Sequence, residues 1–238
     1  MNLERRLEKI KDLFQRILGK ELKALFLYGS AARGEYKPGR SDLNLLAIMS
    51  KVDRAALIKA GSAQRKAGRK IRLLCFTEEY FKTSLDTYPI EILDLKLHHR
   101  KLAGDFNFTE LATEKEFLRL QVERELKGKS YLMRQAVIGY GCEEKEMMRL
   151  AADHLSAILA VMQGALYLLD KEIPVKRGEL IEGICQAYGL DAKIKADLQA
   201  LQSAGRLSRV RKAEDFYFGL IEALEMMAGK VDAMGAGK

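Results

Sequence analysis

The sequence contains no tryptophan, and proline and cysteine occur only three times each among its 238 residues. Cys75, Cys142 and Cys185 lie far apart and form no paired motif. This spacing excludes a disulfide-rich scaffold and a zinc site built from paired cysteines. We therefore expect free, buried thiols in a protein of the reducing cytoplasm.

Long apolar runs and low-complexity tracts are missing as well. No run approaches the roughly 20 apolar residues that a membrane-spanning helix needs, and the N-terminus has an amphipathic pattern rather than that of a signal peptide. A chain of 238 residues can form one large domain or two small ones, each with its own core. We expect a globular protein with no membrane partner.

The positive charge is concentrated in the first half of the chain. The net charge is +8, and all eight excess charges lie within residues 1–110, whereas the remainder is neutral. A basic surface suits a ligand that carries phosphate, such as a nucleotide or a nucleic acid. A merely solubilising surface would have the same composition.

Apolar periodicity predicts alternating helices and strands up to residue 108. An amphipathic helix over 3–18 ends at Gly19, and apolar runs at 22–28, 43–49 and 71–76 predict buried strands. Residues 52–68 predict a basic helix. The segment 90–95 after Pro89 predicts either a fourth strand or the start of a helix through Arg100. The first domain, 1–108, is thus predicted to have an α/β or α+β fold with a mixed sheet.

From residue 109 onward the pattern becomes helical. Apolar residues recur every three or four positions, and β-branched runs almost disappear. We predict a second domain, 109–238, that is an all-α helical bundle. Such a domain could supply part of an acceptor cleft or the interface of a homodimer.

A group of small and polar residues follows the first predicted strand. Gly29 lets the backbone approach a phosphate closely, and the Ser30 hydroxyl with the N–H groups of a following helix could bind its oxygens. Arg33, one turn on, could add positive charge. In the next strand Asp42 and Asn44 share one face. A carboxylate beside a phosphate cradle suits a triphosphate bridged by Mg²⁺.

These residues resemble the nucleotidyltransferase superfamily of DNA polymerase β type, in particular the minimal and aminoglycoside nucleotidyltransferases of prokaryotes. The family motif is Gly-Ser, a spacer, and then Asp-apolar-Asp/Glu. Here Gly29-Ser30 is followed by eleven residues and then by Asp42-Leu43-Asn44. The resemblance covers roughly residues 20–104. It implies a nucleotidyltransferase fold and a nucleotide site that includes Gly29, Ser30, Arg33, Ser41 and Asn44.

The sequence departs from the family at two carboxylates. Asn44 stands where the second one is expected, and an amide brings no charge and cannot act as a base. The family also takes a third carboxylate from a later strand, but in 71–76 the only charged residue is Arg72. Glu91 is the best remaining candidate as metal ligand and catalytic base, because it would interrupt an apolar strand. Asp94 is the next.

Two functions remain open from the sequence. In the first, Asp42 and Glu91 are the catalytic residues and hold Mg²⁺. The enzyme then transfers a nucleoside monophosphate from an NTP to a hydroxyl of a small molecule, a protein or an RNA. In the second, the site is degenerate, and the protein is a nucleotide-binding or antitoxin-like regulatory protein. Separately, Arg149 and His154 fit the loose Arg-His pattern of HEPN ribonucleases, although a surface role is the favoured interpretation.

Overall fold

The computed structural model describes residues 2–39, 41–141, 143–204 and 213–235. The chain folds into two compact units. The first comprises Met1–Asp86 and Ile92–Ala112, and the second comprises Thr87–Glu91 and Thr113–Lys238. Cys142 lies outside the described residues, whereas Cys75 and Cys185 are free thiols, and burial raises the pKa of each to about 11.

The first unit is built around a four-stranded mixed sheet. Its helices are α1 (Leu3–Leu18), α2 (Arg54–Ala67), α3 (Glu78–Lys82) and the main part of α4 (Pro89–Leu97), and its strands are β1 (Leu22–Tyr28), β2 (Leu43–Met49), β3 (Ile71–Thr77) and β4 (His99–Gly104). The strand order is β3-β2-β1-β4. β1 is antiparallel to both β2 and β4, whereas β2 and β3 are parallel and joined through α2. The mixed sheet predicted from the sequence is confirmed.

Apolar packing on both faces holds this sheet. On one face, α1 and α2 bury Phe14 and Ala60 against Leu25 and Leu45, in line with the apolar stripe of α1. The opposite face buries Phe26 against other aromatic and aliphatic side chains of the strands, of α3 and α4, and of the segment after β4. Burial on both faces explains why β1 and β2 are continuous apolar runs in the sequence.

The segment after Pro89 was the ambiguous part of the sequence, and its strand alternative is wrong. Residues Pro89–Leu97 form α4. Proline is favourable in the first turn of a helix, and the acidic residues Glu91 and Asp94 are spaced three apart, which suits a helical and not a strand period. The fourth strand is instead β4, which begins two residues after the helix ends.

The second unit is helical throughout its regular structure. Within the described residues it contains α5 (Lys115–Tyr140), α6 (Glu144–Leu168), α7 (Arg177–Tyr188), α8 (Ala192–Ala204) and α9 (Ala213–Ala233). Helix α5 packs against α6 and α9. Helix α6 is long and apolar enough to cross a membrane, but more than half of its most apolar stretch is buried inside the protein. Such burial is typical of the central helix of a bundle.

The Arg-His pair of the HEPN-like pattern lies on the exposed side of α6. The Arg149 guanidinium forms ion pairs with Glu146 and Asp153 of the same helix, at 2.8 and 3.1 Å. His154 is exposed. Pairs of this i,i+3 and i,i+4 type are ordinary features of a solvated helix face, so the surface interpretation accounts for both residues.

Candidate functional site

The turn after β1 brings Gly29 and Ser30 to the end of the strand, and the described residues 32–39 that follow form no α-helix. Residues Gly29–Ala31 form a single 3-10 turn. The N–H groups of Ala32 and Arg33 donate to the Gly29 carbonyl at 3.1 and 3.2 Å, and the Glu35 N–H donates to the Ser30 carbonyl at 2.8 Å. Any phosphate bound here would therefore meet a tight backbone turn and the Ser30 hydroxyl, without a helix dipole.

Gly29 is required at this turn for two reasons. Its φ of +72° lies in the left-handed region that disfavours side chains, and a Cβ atom at Gly29 would lie 2.8 Å from Asn44 Nδ2. The glycine thus allows Asn44 to lie directly against the turn. The predicted phosphate-binding turn at Gly29 and the side chain of Asn44 are therefore in contact within the sheet unit.

We expect Gly29→Ala to lower the free energy of unfolding by about 1–3 kcal/mol, because it combines backbone strain with the Asn44 contact. Gly34→Ala is a matched control: its φ is also positive, at +77°, but a Cβ there would meet nothing within 4 Å. Urea unfolding of both variants separates the two costs. Equal losses would mean that the Asn44 contact adds nothing.

The sheet register places Asn44 between Tyr28 and Arg72. Asn44 pairs with Tyr28 of β1 on one side and with Arg72 of β3 on the other. Arg72 Nε donates to Asp42 Oδ2 at 3.1 Å, while the two side chains remain 63% and 34% exposed. One oxygen of the predicted metal-binding carboxylate of Asp42 therefore accepts a hydrogen bond from a guanidinium. In the sequence Arg72 is the one charged residue of β3. The parallel register between β2 and β3 cannot be derived from the sequence, so the contact between Arg72 and Asp42 was not predicted.

Ser41 organises the loop that leads into Asp42. Its hydroxyl oxygen accepts a hydrogen bond from the Lys37 N–H at 3.0 Å, and its own N–H donates to the Lys37 carbonyl at 2.9 Å. These two bonds close the loop and fix the point at which β2 begins. Ser41 thus has a structural role that does not depend on a ligand.

Arg33, predicted to add charge to a phosphate site, is buried. Its side chain is only 4% exposed, and Arg33 Nη2 forms an ion pair with the carboxylate of Asp94 on α4, which is 22% exposed. Burial, with a smaller contribution from the Asp94 carboxylate, raises the pKa of Tyr28 above its ordinary value. Arg33 and Asp94 therefore form a largely buried charge pair within the sheet unit.

Glu91 differs from the buried strand carboxylate that the sequence suggested. It is exposed, it lies in the first turn of α4, and it belongs to the helical unit, whereas Asp42 belongs to the sheet unit. The Gln121 Nε2 group donates to its carboxylate at 3.0 Å, and Gln121 Oε1 accepts from the Ile90 N–H at 2.8 Å. Neither unit by itself contains both Asp42 and Glu91.

The donor set around Asp42 does not fit the Mg²⁺ ions that the family resemblance implies. A two-metal site needs shared carboxylates, but here one carboxylate is bound to Arg72, the next position is a neutral amide, and the neighbouring strand contributes a cation. Across residues 2–39, 41–141, 143–204 and 213–235, no cluster of three or more His, Cys, Asp or Glu side chains could hold a metal ion.

Comparison with known proteins supports the fold. Residues 7–103 match the family model described as a nucleotidyltransferase domain. The structure is similar to that of the spectinomycin adenyltransferase AAD(9) from Enterococcus faecialis, solved with ATP and spectinomycin, with a TM-score of 0.60 and 13% identity over 95% of this chain and 99% of the other. No curated protein sequence gives a significant match.

Proposed function

We propose that this chain, whose residues 7–103 match the nucleotidyltransferase domain model, binds a nucleoside triphosphate at the Gly29–Ser30 turn without metal-dependent transfer. The observation that carries this proposal is the ion pair between Arg72 and Asp42 beside Asn44. The protein would act as a nucleotide-binding, regulatory member of the superfamily rather than as a transferase.

The retained parts of the site support nucleotide binding. Gly29 keeps the tight turn, Ser30 supplies a hydroxyl, and the loop closed by Ser41 leads directly to Asp42. Backbone N–H groups and hydroxyls at such a turn are ordinary ligands of phosphate oxygens. The basic first half of the sequence adds a favourable long-range field for a polyanion.

The altered parts of the site support loss of transfer. In two-metal catalysis the ions stabilise both the attacking and the leaving oxygen. The acceptor hydroxyl also needs a base, and neither Asn44 nor Arg72 can accept a proton at neutral pH. With Asp42 as the remaining carboxylate of the three positions, the charge that would attract two Mg²⁺ ions is largely gone.

Binding and turnover are measured separately. We expect calorimetric titration of the full chain with ATP, GTP, CTP and UTP to show binding of at least one nucleotide. We expect no pyrophosphate release above the protein-free rate with Mg²⁺ and a panel of aminoglycoside, protein and RNA acceptors. Absence of binding to all four nucleotides, or pyrophosphate release that Asp42→Ala abolishes, would overturn the proposal.

A second candidate function is transfer of a nucleoside monophosphate to a small hydroxyl-bearing acceptor. It is favoured by the 63% exposure of the Arg72 side chain, which leaves this side chain room to rotate away from Asp42, and by the likeness to a protein solved with ATP and spectinomycin. In that case Asp42 and Glu91 would bind Mg²⁺ as the sequence suggested.

The variant Glu91→Gln tests this second candidate. We expect it to leave the nucleotide dissociation constant unchanged within about 2-fold, because a solvated carboxylate contributes little to a site that holds no metal. Gln121→Ala, which removes the hydrogen-bond donor to Glu91, is the companion variant for structural effects. A Mg²⁺-dependent loss of affinity in Glu91→Gln alone would favour the transferase function.

A further inference from the structure

We infer that the Arg72 guanidinium takes the place of the metal ions as the counter-charge for the triphosphate, so that this site binds the metal-free nucleotide. This inference rests on the proposed function, because it assumes that a nucleoside triphosphate binds at the Gly29–Ser30 turn. It assigns to Arg72 a binding role, and it assigns to the ligand a chemical state, free of Mg²⁺.

The position of Arg72 supports this role. In the sheet, Arg72 of β3 pairs with Asn44 of β2, which pairs with Tyr28 of β1. Arg72 is therefore two strands away from Tyr28, the residue that precedes Gly29. Neighbouring strands are about 4.8 Å apart, so the backbone of Arg72 is about 10 Å from the phosphate turn. An extended arginine side chain starting there ends close to a ligand that lies over Asn44.

The hydrogen bonding of Arg72 leaves donors for a ligand. Its bond to Asp42 uses Nε only. Within the described part of the chain, the terminal Nη1 and Nη2 groups form no hydrogen bond in the structure, and the side chain is mostly exposed. Two Nη groups in one plane match two phosphate oxygens, which is the arrangement for which arginine is preferred over lysine.

The charges at the three positions are consistent with a ligand free of metal. Three carboxylates, as the family resemblance implies, repel a triphosphate unless metal ions neutralise them. Asp42, Asn44 and Arg72 have a net charge of zero, so the repulsion is absent without any ion. Added Mg²⁺ would instead compete with Arg72 for the phosphate oxygens.

The first test compares ATP binding by calorimetry in EDTA and in Mg²⁺. We expect the dissociation constant in EDTA to be equal to or lower than that in Mg²⁺. Arg72→Gln should weaken binding in EDTA by about 10-fold or more, since hydrogen bonds from a charged donor are the strong ones, and Arg72→Lys should be intermediate. Arg69→Gln removes an exposed charge in the turn before β3 and should change binding by less than about 2-fold.

The second test uses Asp42→Asn, for which a metal site and a site built on Arg72 predict opposite changes in ATP affinity. In a metal site this variant weakens binding of the Mg²⁺ complex. In a site built on Arg72 it releases the guanidinium and removes a negative charge, so ATP should bind in EDTA as tightly or more tightly. Unfolding in urea checks that each variant remains folded.

The outcomes separate this inference from the function on which it rests. Absence of ATP binding in both EDTA and Mg²⁺ would overturn the proposed function itself. Binding that requires Mg²⁺ and is weakened by Asp42→Asn but not by Arg72→Gln would leave nucleotide binding intact and overturn the role of Arg72.

Discussion

The double variant Asn44→Asp/Arg72→Glu is expected to convert the nucleotide site from metal-independent to metal-dependent binding. Asn44→Asp restores the carboxylate of the superfamily motif. Arg72→Glu replaces the guanidinium on β3 with a third carboxylate beside position 44. We expect ATP affinity in EDTA to fall by about 100-fold or more, because one favourable charge contact is lost and a repulsive one is added. Addition of Mg²⁺ or Mn²⁺ should recover most of that loss.

Two further measurements make the conversion from metal-independent to metal-dependent binding interpretable. Titration of Mn²⁺ in the absence of nucleotide should show binding to the double variant that the wild type lacks. The variant Arg69→Glu introduces the same charge reversal in the turn before β3 and should leave ATP binding in EDTA within about 3-fold. If the double variant loses ATP in EDTA and neither metal restores binding, Arg72 would bind the phosphates but the family geometry would not be present.

Three of the four strands were predictable from the sequence, whereas the edge strand β4 was not. β1 and β2 are buried on both faces, and such strands are continuous apolar runs. β4 has the sequence His-Arg-Lys-Leu-Ala-Gly and pairs with β1 at the sheet edge. An edge strand keeps polar residues that face solvent, so the apolar signal that identified the other strands is missing from it.

The chemistry of the site was only partly predictable for a related reason. Gly29-Ser30 and Asp42 are close in sequence, and their spacing is enough to identify them. The contact of Arg72 with Asp42 depends on the parallel register between β2 and β3, which aligns Leu43 with Ile71. No local pattern specifies this register, because it is set by the crossover through α2 and by packing on both faces.

Arg33 shows how an ambiguous element changes the interpretation of a site residue. With the segment after Pro89 taken as a strand, Asp94 would belong to the sheet and Arg33 would remain available to phosphate. Because the segment is a helix, Asp94 instead meets the Arg33 guanidinium. Arg33 therefore pairs with Asp94 of α4, whereas Arg72 provides the guanidinium that contacts Asp42 within the described residues.

Loss of the buried pair between Arg33 and Asp94 should have the largest effect on stability. We expect Asp94→Leu to lower the free energy of unfolding by about 3–5 kcal/mol, since it removes the carboxylate that pairs with a guanidinium only 4% exposed. Arg72→Gln breaks the exposed pair with Asp42 and should cost no more than about 1 kcal/mol. Urea unfolding, followed by tyrosine fluorescence and by far-UV circular dichroism, measures both losses of unfolding free energy.

The compensating variant Arg33→Met/Asp94→Leu shows whether the loss comes from the charge and not from altered packing. Replacement of both members of a buried pair by apolar residues is often neutral or stabilising, so the double variant should be more stable than Asp94→Leu alone. Because Arg33 and Ser30 lie in the same turn, nucleotide affinity should fall in Asp94→Leu and recover in the double variant. A double variant that is stable yet binds ATP poorly would mean that Arg33 itself contacts the phosphates, contrary to its burial in the structure.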